Sequence, residues 1–364
     1  MTAAEEPLAA IFARLIARTG PISLMHYMAE ANARYYASRD PLGAPVPGGG
    51  KGGDFITAPE ISQMFGELIG LWLADIWTRA GSEASVHYVE LGPGRGTLAR
   101  DALRAARRYG LNPEVHLVEG SVALKAIQHE AVPEATWHHD LSTVPMDGPI
   151  LLVANEFLDA LPVRQLVKAE QGWRECLVDW RDGAFVPIAG PRPMDAAVPE
   201  SHRSAPVGTV LETSPAMATV VYEVAARLAA QGGAALFIDY GHDAPRTGST
   251  LQAVRAHRKV DPMATPGEAD LTCHVDFAAM AEAAQARGAR WLGTVTQGSW
   301  LRALGIEMRA ASLGAASPAY ADTIASQRDR LIADDQMGRL FKVMGLAAPG
   351  WPDGAGFPAA ASTG

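Results

Sequence analysis

Two short runs of this sequence hold residues whose types and spacing could do chemistry. The first is Glu90-Leu91-Gly92-Pro93-Gly94-Arg95-Gly96-Thr97, an acid followed by glycines at alternate positions, directly after the apolar stretch Val86 to Val89. Glycine lets the backbone turn sharply and approach a ligand, and a helix opening near Thr97 aims unsatisfied N–H groups at the same place. The dinucleotide fingerprint G-x-G-x-x-G requires glycine at 97, where this chain has threonine. The acid-x-G-x-G-x-G form fits S-adenosylmethionine better, with Gly92, Pro93, Gly94 and Gly96 around its methionine end. Glu90 is expected to orient that loop or to meet the cofactor's ammonium; the alternative is a buried acid capping loop amides.

Such a cofactor needs further contacts. Its ribose hydroxyls call for an acid at the end of the next strand, and His116-Leu117-Val118-Glu119 puts Glu119 there, after a longer interval than the ~20 residues usual for nicotinamide sites. Adenine calls for an acceptor and a backbone donor in an apolar slot, which Asp140-Leu141 offers. A solvated strand end for Glu119 and an ordinary turn aspartate at 140 are the alternatives. Acids ending three successive strands beside a glycine loop strengthen one another.

The second run is Asn155-Glu156-Phe157-Leu158-Asp159-Ala160-Leu161-Pro162, after the apolar strand Ile150 to Ala154. Asn155, Glu156 and Asp159 are the candidate catalytic residues, with Asn155 also in reach of the cofactor. Carboxylates can grip a guanidinium by paired hydrogen bonds and concentrate nucleophilic character on one nitrogen. Because arginine's pKa exceeds about 12, a base is needed only as the proton leaves. Caps on a turn and a short helix are the alternatives for Asn155 and Asp159. Thr57, Glu60, Glu67, Tyr240, His257 and His274 are candidates on the substrate side. No metal is expected, since His257 and His274 are far apart and His138-His139 are adjacent rather than at a ligand spacing. A serine elbow and a Walker A loop are both absent from the sequence.

The elements that must position these residues follow from periodicity. From Ser85 onward strands and helices alternate as in a doubly wound, mostly parallel sheet. This predicts a doubly wound α/β core over 81–346, interrupted by insertions at about 165–212 and 241–275. An N-terminal helical or lid region over 1–80 precedes it, with a breaker-rich loop at 41–53, and a frayed tail follows over 347–364. The chain has 364 residues and a net charge of −9, which argues against a nucleic-acid backbone binder and suits a cationic substrate. Its two cysteines indicate neither a disulfide framework nor a structural zinc site. No run approaches the ~20 apolar residues of a membrane span, and no signal peptide is evident, so a cytoplasmic protein without membrane insertion is expected. The oligomeric state is open.

These motifs, together with Gly53-Asp54-Phe55-Ile56-Thr57-Ala58-Pro59-Glu60-Ile61-Ser62, Phe65-Gly66-Glu67, Asp239-Tyr240-Gly241 and Asp270-Leu271-Thr272-Cys273-His274-Val275-Asp276-Phe277, resemble the MidA family over roughly residues 8–345. The resemblance implies a class I S-adenosylmethionine-dependent methyltransferase fold, Rossmann-like, with a seven-stranded sheet. The family includes a mitochondrial complex I assembly factor that methylates protein arginine, so the resemblance also implies a protein substrate, with a complex I subunit as the specific expectation. A small-molecule or other protein acceptor, or a cofactor-binding assembly factor without turnover, are the competing readings.

Overall fold

The computed structural model describes residues 6–38 and 56–358. The glycine run of the 41–53 loop, and the start of the motif at Gly53, lie outside them. The chain divides into two compact units, Met1–Phe55 with Asp159–Ala218 and Pro245–His274, and Ile56–Leu158 with Thr219–Ala244 and Val275–Gly364.

The second unit holds the main sheet. Its long strands are β1 His87–Leu91, β2 Glu114–Val118, β3 Thr136–His138, β4 Ile150–Asn155, β5 Gly233–His242, β6 Arg290–Thr296 and β7 Phe341–Ala347. Their spatial order is β6-β7-β5-β4-β1-β2-β3, and β5 also carries the short bridge Val275–Asp276. All pairings from β5 to β3 are parallel, while β7 runs antiparallel to both β5 and β6. The chain therefore winds outward through β1, β2 and β3, then returns to lay β4 on the other side of β1. Such a reversal is where a doubly wound sheet offers a ligand crevice, here at the carboxyl ends of β1 and β4. The two chemically suggestive runs begin there.

β1 and β4 are buried along their whole length, which explains their continuous apolar character. One face of the sheet, with Tyr88, Val115, Leu117, Leu151 and Val153, packs on helices Gln63–Arg79 and Thr97–Ala106. These two helices cross closely because glycines recur four residues apart on the first. A Cβ at Gly70 would lie 2.1 Å from the Ala102 carbonyl oxygen, and one at Gly66 2.8 Å from Asp101 Cβ. Gly70→Ala is therefore expected to destabilise the protein by about 1–3 kcal/mol through overpacking. Urea unfolding reads this as a lower midpoint at unchanged slope; an unchanged midpoint would contradict so close a crossing. The opposite face carries three buried histidines, His87, His116 and His138. Burial first, then its His87 and His138 neighbours, push the His116 pKa down to about 4.

The other unit is built on an antiparallel sheet of Ile22–Ser23, Arg164–Ala169, Gly172–Arg181, Ala184–Pro193 and Val210–Thr213, with a three-stranded sheet of Gln252–Arg255, Arg258–Val260 and Asp270–Thr272. Helices Leu8–Thr19 and Leu24–Ser38 belong with it. Phe12 stacks on Tyr27, and both rings meet Phe185 edge-on. Buried Asn32 donates to the carbonyls of Ala160 and Leu271 and accepts from Leu271 N–H.

This division corrects the expected boundaries. The N-terminal region 1–80 is not one piece: its first two helices join the two inserted segments, while residues 56–80 belong to the main sheet's unit. Periodicity marks a helix but not the unit it packs in. The tail also differs through residue 358, because Trp72 Nε1 donates to Ala355 O and Phe357 packs edge-on against Trp72. Its small residues serve close packing: a Cβ at Gly354 would lie 2.6 Å from the Trp72 ring. Among the described residues no helix is long and apolar enough to cross a membrane.

Candidate active site

The glycine loop turns through three left-handed positions, with φ of 62° at Gly92, 53° at Gly94 and 77° at Gly96. Such values disfavour any side chain, which accounts for the alternating glycines. Gly92 has a second constraint, since its Cβ would lie 2.7 Å from the Phe157 ring. Gly92 N–H donates to Val118 O, and Gly96 O accepts from Arg100 N–H at the start of the following helix. The loop is thus fixed from both sides while helix Thr97–Ala106 starts beneath it.

Glu90 is fully buried and accepts from the Tyr88 hydroxyl at 2.5 Å. Desolvation pushes its pKa up to about 7, a rise that the Tyr88 hydrogen bond opposes. Glu119 accepts from Ser121 N–H at 2.7 Å and from Gln128 Nε2 at 3.1 Å. The same Gln128 nitrogen donates to Gly94 O at 2.8 Å, and its oxygen accepts from Trp137 Nε1 at 2.8 Å. Gln128 therefore links the glycine loop to Glu119, and the sequence reading missed it. A signal was present: Gln128 follows Leu124 by one helical turn, which puts an amide on the buried face of its helix.

Asp140 caps the turn Leu141–Thr143, accepting from Ser142 N–H and from the Ser142 hydroxyl. Those bonds hold its carboxyl below the usual range. They match the turn role weighed against adenine binding, and the cap also fixes the Leu141 amide in place. Arg227, likewise missed, is buried beneath this turn and donates to the carbonyls of Leu141, Val144 and Pro145.

At the end of β4, Glu156 has a left-handed φ of 50°, unusual for a side-chain-bearing residue. Its amide donates to Ile238 O at 2.8 Å, so the backbone is pinned in that state. Its Oε1 accepts from Ala58 N–H at 2.9 Å and from Asn155 Nδ2 at 3.3 Å. Asn155 Oδ1 is buried with no hydrogen-bond partner among the described residues. Next to it, Leu158 N–H donates to buried Asp239 Oδ2 at 3.0 Å, so β5 holds the loop. The sequence reading quoted Asp239 only as part of a motif.

The segment from Thr57 joins the two runs. Thr57 precedes helix Ala58–Ile61, whose first amide meets Glu156, while Glu60 Oε1 accepts from the Thr97 hydroxyl at 2.5 Å. Glu67 is placed differently from its substrate-side expectation. Arg309 grips both of its oxygens, at 2.8 and 3.0 Å, and Arg104 adds a third contact. Tyr240 packs its ring edge-on against Phe341.

Three candidates belong to the other unit. His257 is exposed at a hairpin turn, where it and Ala256 both have positive φ; turn geometry accounts for its position. His274 donates its N–H to Thr250 Oγ1 and accepts from Arg246 at Nδ1. Asp159 is buried, and its carbonyl accepts from Cys273 N–H.

The main-sheet residues fit S-adenosylmethionine on two observations: a glycine cradle that a Cβ would fill, and an unpartnered buried oxygen at Asn155. Comparison with known proteins bears on the same point. A family model described as S-adenosyl-L-methionine-dependent methyltransferase matches residues 68–295. The chain belongs to this family. It is a methyltransferase that uses S-adenosylmethionine. Among its relatives is the mitochondrial protein arginine methyltransferase NDUFAF7 of Mus musculus, 36% identical over 91% of this chain and 82% of the relative. The Homo sapiens protein of the same name is 35% identical over 94% and 84%. A Burkholderia thailandensis structure bound to S-adenosyl-homocysteine superposes with a TM-score of 0.80, at 29% identity over 97% of this chain and 93% of that one. The family membership favours S-adenosylmethionine over a dinucleotide as the cofactor.

Proposed function

We propose that this methyltransferase acts on arginine in a protein, and specifically on a subunit of respiratory complex I. The observation that carries the reading is Glu156, a carboxylate at the switch point held rigid from three directions: Ile238 O on its backbone, and Ala58 N–H and Asn155 on its side chain. The related NDUFAF7 proteins, named as protein arginine methyltransferases, support the same acceptor.

When bound, S-adenosylmethionine supplies an electrophilic methyl group on a sulfonium. Glu156 would accept hydrogen bonds from the guanidinium and hold one nitrogen ready as the nucleophile, and such positioning provides most of the rate. Transfer would break the sulfonium's bond to the methyl and leave S-adenosyl-homocysteine, and Glu156 would take the proton lost by the methylated nitrogen. Asn155 donates its amide to Glu156, and its unpartnered buried oxygen would be available to the cofactor. Glu90, the glycine loop, Glu119 and the Asp140-Leu141 turn bind the methionine, ribose and adenine parts. Thr57, Glu60 and Tyr240, which belong to the main sheet's unit, are the acceptor-side candidates.

The test is incubation with labelled S-adenosylmethionine and purified complex I subunits, followed by peptide mass spectrometry. Label on an arginine side chain is expected. Cofactor binding without any transfer would favour an assembly role, and transfer only to other residues or small molecules would replace the arginine assignment.

A further inference from the structure

A second cluster of chemically able side chains lies at the opposite end of the sheet from the crevice. His87 opens β1 and Glu114 opens β2, and the two are register partners. His116 follows Glu114 by two residues, which puts both on the same face of β2. His87 and Leu91 are four residues apart, about 13 Å of strand, so the cluster is remote from the glycine loop.

His87 Nδ1 is 3.0 Å from His116 Nε2, and Glu114 Oε2 is 3.8 Å from the first nitrogen and 4.0 Å from the second. These separations define a triangle whose centre lies about 2.1 Å from every corner, within the ~2.0–2.2 Å range of zinc–nitrogen and zinc–oxygen bonds. The rings are also supported from behind. His87 Nε2 is 3.0 Å from Asp147 Oδ1, and His116 Nδ1 is 3.0 Å from His138 Nε2, whose Nδ1 is 2.9 Å from Thr143 Oγ1.

The Asp147 carboxylate only accepts, so the neutral His87 ring keeps its proton on Nε2 and offers a lone pair at Nδ1. His116 offers Nε2 when its proton sits on Nδ1 and is donated to His138. His138 then passes its own proton to Nδ1, toward Thr143. In this arrangement each imidazole keeps one N–H, each N–H has an acceptor, and the hydrogen bond between His87 Nδ1 and His116 Nε2 gives way to a metal ion. A carboxylate behind a ligating histidine, as Asp147 stands behind His87, is the usual support of a metal site.

We propose that His87, Glu114 and His116 form a site for a divalent transition-metal ion of the zinc class, with a fourth position open to solvent. The donor set, two imidazoles and one carboxylate, suits zinc or cobalt(II) rather than magnesium or calcium. The mouth is open, because the Glu114 side chain is 68% exposed while both histidines are buried. Bound there, the ion pins the starts of β1 and β2 together without entering the methyl-transfer crevice.

The experiment is calorimetric titration of the metal-free full chain with zinc, and cobalt(II) absorption spectroscopy on the same preparation. One equivalent of zinc is expected to bind and raise Tm, with the visible bands of a four-coordinate cobalt(II) site. Glu114→Ala removes an exposed ligand and leaves the fold intact, so it is expected to weaken zinc strongly. Asp147→Asn, also exposed, should weaken it by about 10–100-fold. His116→Gln should abolish the cobalt bands, and His129→Ala should bind as the parent does. Absence of zinc binding, or binding that Glu114→Ala, Asp147→Asn and His116→Gln leave unchanged, overturns the assignment.

Discussion

Glu156→Gln is expected to lower kcat by about 10²–10⁴-fold, the range for loss of a general base, while S-adenosyl-homocysteine binds as before. Glutamine keeps the side-chain volume and one carbonyl oxygen that can accept from Ala58 N–H, as Glu156 Oε1 does at 2.9 Å. It loses the charge that grips a guanidinium and the site that receives its proton. Glu156→Ala removes the anchor as well, so a larger loss in alanine than in glutamine measures positioning separately from proton acceptance. Glu156→Gly addresses the backbone: at φ 50° glycine is relaxed where glutamate is not. That variant should fold at least as stably as the parent and remain inactive. Calorimetry with S-adenosyl-homocysteine and single-turnover rates on the acceptor peptide check all three. Full turnover in Glu156→Gln would move the base elsewhere, with Asp159 the next carboxylate in the motif.

The parts of this site that were legible in the sequence are those set by local chemistry. Alternating glycines announce left-handed turns because few other residues occupy them, and Gly92, Gly94 and Gly96 all do. The strands could be found because both faces of a parallel sheet are buried, so Ile150–Asn155 is nearly continuous apolar sequence. What stayed hidden depends on partners distant in the chain. Gln128 reads as an ordinary helix residue until the fold brings Gly94, Glu119 and Trp137 to it. Glu67 looks like a site acid because its motif is near the site; only Arg309, far along the chain, makes it an ion pair. The histidine cluster escaped for the same reason. His87 and His116 lie far apart along the chain and meet only through strand register. The unit boundaries were illegible too, because helices Leu8–Thr19 and Leu24–Ser38 carry no local mark of the segments they join.

Glu90→Gln is expected to move cofactor affinity and stability in opposite directions. In the free protein, burial raises the Glu90 pKa from 4.5 to about 7. A carboxyl raised on folding contributes stability that is fully present below its unfolded pKa near 4.5 and lost as pH rises through about 7. Above 7 the folded protein holds a buried, desolvated carboxylate, a penalty on the order of 3 kcal/mol for a shift of this size. Glutamine cannot ionise, so the variant should be the more stable protein at pH 8 and no more stable at pH 4.5. Binding runs the other way. If Glu90 meets the cofactor's ammonium, its ionised form is the binding form, and affinity for S-adenosylmethionine should rise with pH through about 7. The cofactor's positive charge then offsets the burial penalty, and linkage requires the Glu90 pKa to fall in the complex. Glu90→Gln should flatten that pH dependence and weaken binding by about 10–100-fold at pH 8, a carboxylate–ammonium hydrogen bond being worth ~1.5–3 kcal/mol. Thermal unfolding and calorimetric titration at pH 5, 6, 7 and 8 measure both effects on one pair of proteins. A variant that loses stability and affinity together would mark Glu90 as a structural partner of Tyr88 alone, while stability gained without lost affinity would place the ammonium contact on the loop amides.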